Sequence, residues 1–179
     1  MKEIPLKDVQ KSWGLPEKAV LVTSVDAEGK PNIISVGWLM RANVDPPVFA
    51  IGLGKKSHSG GNISDTGEFV IGVPGADLAE EVIYCGTRSG REVDKFARTG
   101  LTPVPARTVK PPLIEECLVN IECRVIAVQD VGDHRVFFGA VQACWESEKQ
   151  GRPLLIVGEE SGYEQVYEEA GYRMGVIRA

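Results

Sequence analysis

Two short stretches carry the residues best suited to hold an anion. "KKSHSGGNIS" (55–64) combines two lysines, a histidine and three serines with no acid, and "GTRSGR" (86–91) is again small, hydroxyl-bearing and basic. Each precedes an expected helix start, where unpaired N–H groups and the helix dipole favour a phosphate. Either the two loops face one locally positive pocket, or both are solvated turns, because Gly, Ser and Lys are ordinary turn residues. A third polar group lies in "NIISVGWLMRAN" (32–43), where Asn32 and Ser35 interrupt an apolar run, with Thr23 and Ser24 on the preceding strand. Such groups either bond one another or bind the polar edge of a flat ligand. Trp38 lines that ligand or packs in the core, and the core is the expected place for a side chain of this size. His134, after Gly132 and Asp133, is either a functional imidazole or a turn residue capping its own backbone.

Strands must position these residues. "AVLVTSV" (19–25), the turn "DAEGK" and "PNIISVGWLM" (31–40) read as a hairpin, and "VFAIGLG" (48–54) as a third strand. A short helical stretch around "GGNISDTG" leads to a fourth strand, "EFVIGVP" (68–74). Helices are expected over 76–86, from the spacing of Leu78, Val82 and Ile83, and over 91–99, from Val93, Phe96 and Ala97. A proline-punctuated connector (103–112) precedes a long strand (113–130), with Val119, Ile121, Cys123 and Val125 on one face and Asn120, Glu122 and Arg124 on the other. The chain returns along 135–147, and 152–158 reads as a last strand; the tail, "YEQVYEEAGYRMG", has no decided element. Hairpin links with helices inserted in the middle predict a mostly β fold, a closed antiparallel barrel rather than a doubly wound sheet.

The chain of 179 residues is expected to form one domain over 1–179. Its net charge of −5 argues against generic nucleic-acid or anionic-membrane binding, so any anion site must be local. The start of the chain lacks the apolar segment of a signal peptide and no transmembrane run is present, so a cytoplasmic protein is expected. No metal set is expected from four dispersed cysteines and two histidines, and the cysteines read as buried and reduced. "GLGKKS" has neither the Walker A spacing nor the βαβ context of a dinucleotide fingerprint, and no GxSxG or HExxH occurs.

In their order and spacing, "PEKAVLVTSVDAEGKPNIISVGW", "DPPVFAIGL", "SGGNISDTGEFVIGVP", "DKFARTGL", "IECRV" and "GDHRVFFGAV" resemble the flavin reductase-like family of FMN-binding split barrels, most closely its flavoredoxin-type members. The resemblance runs from about Pro16 to Trp145. It implies a six-stranded antiparallel Greek-key barrel with inserted helices, acting as a homodimer with flavin near the dimer interface. It implies that Lys56, Ser57, His58, Ser59 and Asn62, with Ser89, Lys95 and Phe96 from the second loop, hold the FMN phosphate. Thr23, Ser24, Asn32, Ser35, Val36, Gly37 and Trp38 would line the ring and ribityl chain, and His134 would position nicotinamide.

The function so implied is that of an NAD(P)H-dependent flavin- or ferric-type reductase. It would take NADH or NADPH as co-substrate and pass electrons from reduced FMN to a small molecule or a redox protein partner. The alternative is a flavoredoxin-like carrier reduced by a protein partner, and a third reading is a barrel that has lost flavin. Many relatives carry Arg or Tyr then Thr where this chain has His58-Ser59, and many reductases have a hydroxyl at the Gly37 slot and a small residue at that of Trp38. Access to one ring face is therefore expected to be restricted.

Overall fold

The computed structural model describes residues 5, 15–158 and 163–177. Its main sheet is antiparallel with seven strands in the order β3-β2-β6-β9-β10-β5-β4. These are β2 (Val20–Val25), β3 (Pro31–Val36), β4 (Leu39–Asn43), β5 (Val48–Gly54), β6 (Glu68–Val73), β9 (Val119–Val131) and β10 (His134–Glu146). The expected strand 31–40 is thus two strands, broken at Gly37–Trp38. Leu39 N–H turns back to the Gly37 carbonyl at 2.9 Å, Gly52 N–H donates to the Trp38 carbonyl at 2.9 Å, and β4 then pairs with β5. Taking the bent β3–β4 segment as one strand, six strands make the Greek-key circuit, which that bend carries from β2 round to β5.

Alternation along the strands divides the apolar side chains between two cores. Val20, Val22, Ile51, Leu53, Phe69, Ile71 and Phe137 fill the barrel, and Ile63 of helix α1 (His58–Thr66) joins them. Gly139 is needed there, because a Cβ would run into the Phe69 ring and lie 2.9 Å from the Cys123 Cβ. Ala19, Leu21 and Ile33 face outward into a second core, covered by helix α2 (Ala79–Thr87), by Phe96 of helix α3 (Lys95–Thr99) and by Leu154 and Met174.

The polar face of the long strand is not solvated. The expected strand 113–130 is interrupted at 115–118, giving β8 (Leu113–Ile114) and then β9. Cys117 therefore precedes β9. Asn120 bonds the Ile114 amide and carbonyl, both at 2.9 Å, as a strand partner would. Fully buried Glu122 accepts from Arg107 N–H (3.1 Å), Thr108 N–H (2.6 Å), the Thr108 hydroxyl and Trp145 Nε1 (2.7 Å). The connector, whose β7 (Pro103–Val104) pairs with β8, is stitched over this face. Cys85, Cys117 and Cys123 are buried thiols, while Cys144 is exposed, against the expectation that all four are buried.

The undecided tail is ordered. β12 (Tyr163–Glu169) and β13 (Tyr172–Ile177) form a hairpin, and β13 pairs with β11 (Leu155–Ile156), which pairs with β1 (Glu17–Lys18). This small sheet lies against α2 and the outer core. The expected helix 91–99 is shorter, with only 95–99 helical after the Asp94 cap. Among the described residues no helix is long and apolar enough to cross a membrane.

Candidate functional site

Helix α1 begins where the first basic loop ends. Ser57 is its N-cap, in extended conformation, and its Oγ accepts from Gly60 N–H at 3.0 Å. Gly60 is required, since a Cβ would lie 2.6 Å from that oxygen. One cap satisfies one N–H, which leaves the amides of His58 and Ser59 directed out of the helix start. At the other end Gly67, at φ 69°, closes the helix onto the Ile63 carbonyl.

The second loop packs against the first. A Cβ on Gly90 would lie 2.7 Å from the Asn32 amide carbon and 3.1 Å from the His58 ring, so only glycine lets the loop approach this closely. Arg91 donates to the Lys56 carbonyl at 3.1 Å. Within α2, Gly86 lies against Ser35, whose Cβ would be 3.1 Å from one added at 86. Asn32 donates to Ser59 Oγ at 2.7 Å and Asn62 to Ser24 Oγ at 3.3 Å, all four side chains being buried. Asn32, His58, Ser59, Gly90 and Arg91 are thus brought together. The His58 pKa is lowered by burial first and by Arg91 next, with Lys95 and Lys30 adding to the effect and Asp26 opposing it.

The other expected residues are placed differently. Thr23 donates to the Pro112 carbonyl at 2.6 Å, on the strand face opposite to that of Ser24. The Lys95 ammonium is buried and donates to the carbonyls of Ile33 (2.8 Å) and Cys85 (2.6 Å), so it clamps the end of α2 onto β3. Burial lowers its pKa. Phe96 packs in the outer core and the Val36 side chain in the barrel. Ser89 accepts from Arg91 N–H at 3.3 Å within its loop. Lys55 pairs with Asp130 at 3.2 Å, which leaves Lys56 as the lysine of that loop available to an anion.

Trp38 is not in the core. The bend at Gly37 turns it onto the outside of β5, where it is 51% exposed and lies across Gly52. Its ring meets that of His134 at 4.5 Å, tilted by 35°. His134 Nδ1 lies 2.7 Å from an Asp133 oxygen, which holds the Asp133 carboxyl below its usual range.

Trp38 and Gly37 border two cavities. A groove of about 1120 Å³ runs over the outside of β4, β5 and β10, lined by Met40, Ala50, Val131 and Phe138. A smaller cleft of about 210 Å³ lies between Ser35, α2 and the small sheet, and Glu17 borders both. Gly90 and Arg91, which make the contact between the loops, were within reach of the sequence as part of the basic "GTRSGR". Glu17, a single acid before a strand, carried no signal.

A family model described as "Flavin reductase like domain" matches residues 13–165. The reductase subunit HsaB of a flavin-dependent monooxygenase from Rhodococcus jostii is 32% identical over 146 residues, covering 80% of this chain and 70% of that protein. The flavoredoxin of Desulfovibrio vulgaris (Miyazaki F) superposes with a TM-score of 0.76 at 26% identity, over 89% of this chain and 90% of that one. An FMN-binding protein from Thermus thermophilus, solved with bound 1-cyclohex-2-enone, superposes with a TM-score of 0.75 at 26% identity over 89% and 90%. With its barrel, its paired loops and these likenesses, the chain belongs to the flavin reductase-like family.

Proposed function

We propose that this protein is an FMN-binding oxidoreductase that takes electrons from NADH or NADPH and passes them to a small-molecule or protein acceptor. The observation that carries the reading is the meeting of the two basic loops, with Gly90 against Asn32 and His58 and with Arg91 tied to Lys56. Helix-start amides, the Ser59 hydroxyl and flanking cations are the donor set that a phosphate requires. The same contacts argue against a barrel that has lost flavin. Asn32 and Ser35 continue from this meeting point along the chain, which at about 3.3 Å per residue spans roughly 17 Å from Asn32 to Gly37. The small cleft is below the ~300 Å³ usual for a multi-ring ligand, so the groove beside Trp38 is the place with room for the flavin ring.

Bound FMN supplies the electron-accepting ring. The chain's part is to hold the phosphate, shield one side of the ring with Trp38 and orient a donor with the His134 imidazole. The exposed apolar groove, with Met40 59% exposed and Val131 58% exposed, supports a homodimer that covers it.

A second reading has a specific observation in its favour. Trp38 stacks on His134 and covers part of its imidazole. A flavoredoxin-like carrier, reduced by a protein partner and not by a nicotinamide, fits that arrangement. Visible spectra under anaerobic conditions distinguish the two. Protein that turns yellow with FMN and bleaches with NADH or NADPH is a reductase. Protein that stays yellow is a carrier, and protein that binds no FMN overturns both.

A further inference from the structure

The turn that carries His134 is tied to the first basic loop. It joins β9 to β10 through two residues, Gly132, at φ 55°, and Asp133. The tip of a long hairpin is ordinarily its most mobile part. Here the Asp133 carbonyl accepts from Lys55 N–H at 2.9 Å, and His134 is the Cα partner of Gly54, where β5 gives way to the loop. Asp130 accepts from Arg135 at both carboxylate oxygens, at 2.7 and 3.3 Å, and pairs with Lys55 Nζ at 3.2 Å. Arg135 also donates to Ser64 Oγ at 2.9 Å, and that hydroxyl donates to the Gly60 carbonyl at 2.7 Å. Gly60 in turn gives its N–H to the Ser57 cap. An unbroken run of bonds thus leads from Asp130 to the start of helix α1.

We propose that Asp130 is a positioning residue that locks the Trp38–His134 pair to the loop 55–60, so that an anion held by the loop shifts both rings. The inference rests on the reading of that loop as a phosphate site. One exposed ion pair holds little, whereas a carboxylate shared by a two-point Arg and a Lys forms a network. This network joins three pieces distant in sequence: Lys55 of the loop, Ser64 of α1 and the turn with its flanks at 130 and 135. The bonds from Arg135, and next that from Lys55, hold the Asp130 carboxyl down at about 2, so it stays charged from pH 5 upward. Neutralising Asp130 leaves Lys55 and Arg135 as neighbouring like charges, and their repulsion drives the turn off the loop. His134 moves with the turn, and its contact with Trp38, 4.5 Å between ring centres, loosens. The loop itself keeps its cap and its amides, and it gains Lys55 as an uncompensated cation.

The full-length protein is followed by NMR at the Lys55 amide, the amides of Ser57 to Gly60, the His134 ring and the Trp38 indole, first alone and then with inorganic phosphate or FMN. Asp130→Asn is compared with the native protein and with Asp130→Glu, which keeps the charge. In the native protein phosphate is expected to shift the Ser57–Gly60 amides and both ring signals together. In Asp130→Asn the Lys55 amide exchanges about tenfold faster, because its bond to Asp133 opens more readily. The two rings lose the shift they owe to stacking. Phosphate then still moves the Ser57–Gly60 amides but no longer the rings, which separates lost positioning from a misfolded variant. Asp130→Glu restores the joint response. Ring signals that follow phosphate equally in native protein and Asp130→Asn overturn the role, since the anion then acts through space. So does a Lys55 exchange rate that Asp130→Asn leaves unchanged. If neither phosphate nor FMN moves the Ser57–Gly60 amides, the phosphate reading fails. The tie between turn and loop is decided separately, by Lys55 exchange and ring stacking in the ligand-free proteins.

Discussion

His58 shows what a side chain gains from its neighbours. Burial and then Arg91 lower its pKa. A phosphate beside it reverses the field and raises that pKa. FMN affinity is therefore expected to gain from a fall in pH between the two values, by at most about tenfold per pH unit, since binding takes up one proton there. Protonation of the phosphate itself near pH 6 works the other way. It is common to both proteins when His58→Gln is titrated in parallel, so the difference between the two pH profiles isolates the imidazole. A His58→Gln profile parallel to the native one would remove His58 from the phosphate site. Gly90→Ala gives a second test. The methyl group must displace the Asn32 amide or move the loop, so FMN affinity is expected to fall by at least ~1 kcal/mol, the value of one hydrogen bond, with helix α1 intact by circular dichroism. Both residues stand in stretches whose composition already suggested an anion. That the stretches touch was not legible, because a contact between residues 32, 58 and 90 depends on how the sheet curls.

Buried Glu122 ties two elements together. Burial pushes its carboxyl up, but the bonds from the Thr108 hydroxyl, Trp145 and the Arg107 and Thr108 amides outweigh this and leave it below its ordinary value of 4.5. A depressed carboxyl stabilises the fold fully above its unfolded value, and that stability is lost as pH falls through the folded value. Urea unfolding between pH 7 and pH 3 is expected to show this loss, and Glu122→Gln to flatten it. The variant should also be less stable at pH 7 by about 2 kcal/mol, because an amide group cannot accept from all those donors. Equal stability of the two proteins at pH 7 would mean that the connector does not depend on this anchor. Period-2 alternation revealed the polar face of β9 but not the segment covering it, since two buried faces and one give the same pattern when the second cover bonds polar groups. The final hairpin escaped for a local reason. Its turn places Ala170 at φ 52° before Gly171 at φ 81°, and an alanine there hides the Asn-Gly signature by which such turns are read.

At the scale of the molecule, the proposed dimer would cover the groove over β4, β5 and β10. Met40→Glu is expected to convert a dimer to a monomer in sedimentation analysis, because it buries a charge in an apolar interface, and to weaken FMN binding with it. A variant that stays dimeric moves the interface elsewhere. Trp38 belongs to this scale too. Its size suggested the core, and only the bend at Gly37, with β4 crossing to β5, carries it outside. What the sequence determined by itself was local: strand alternation, two basic loops without acids ahead of helix starts, and the family's ordered motifs. Those follow from near neighbours along the chain, where backbone geometry sets which side chains share a face. The tertiary structure alone decided which loops meet, that Lys95 clamps carbonyls within the protein, that the polar face of β9 is roofed, and that Glu17 lines a cleft with Trp38 and Tyr172. Such placements rest on packing between residues far apart in sequence, and no periodicity encodes them.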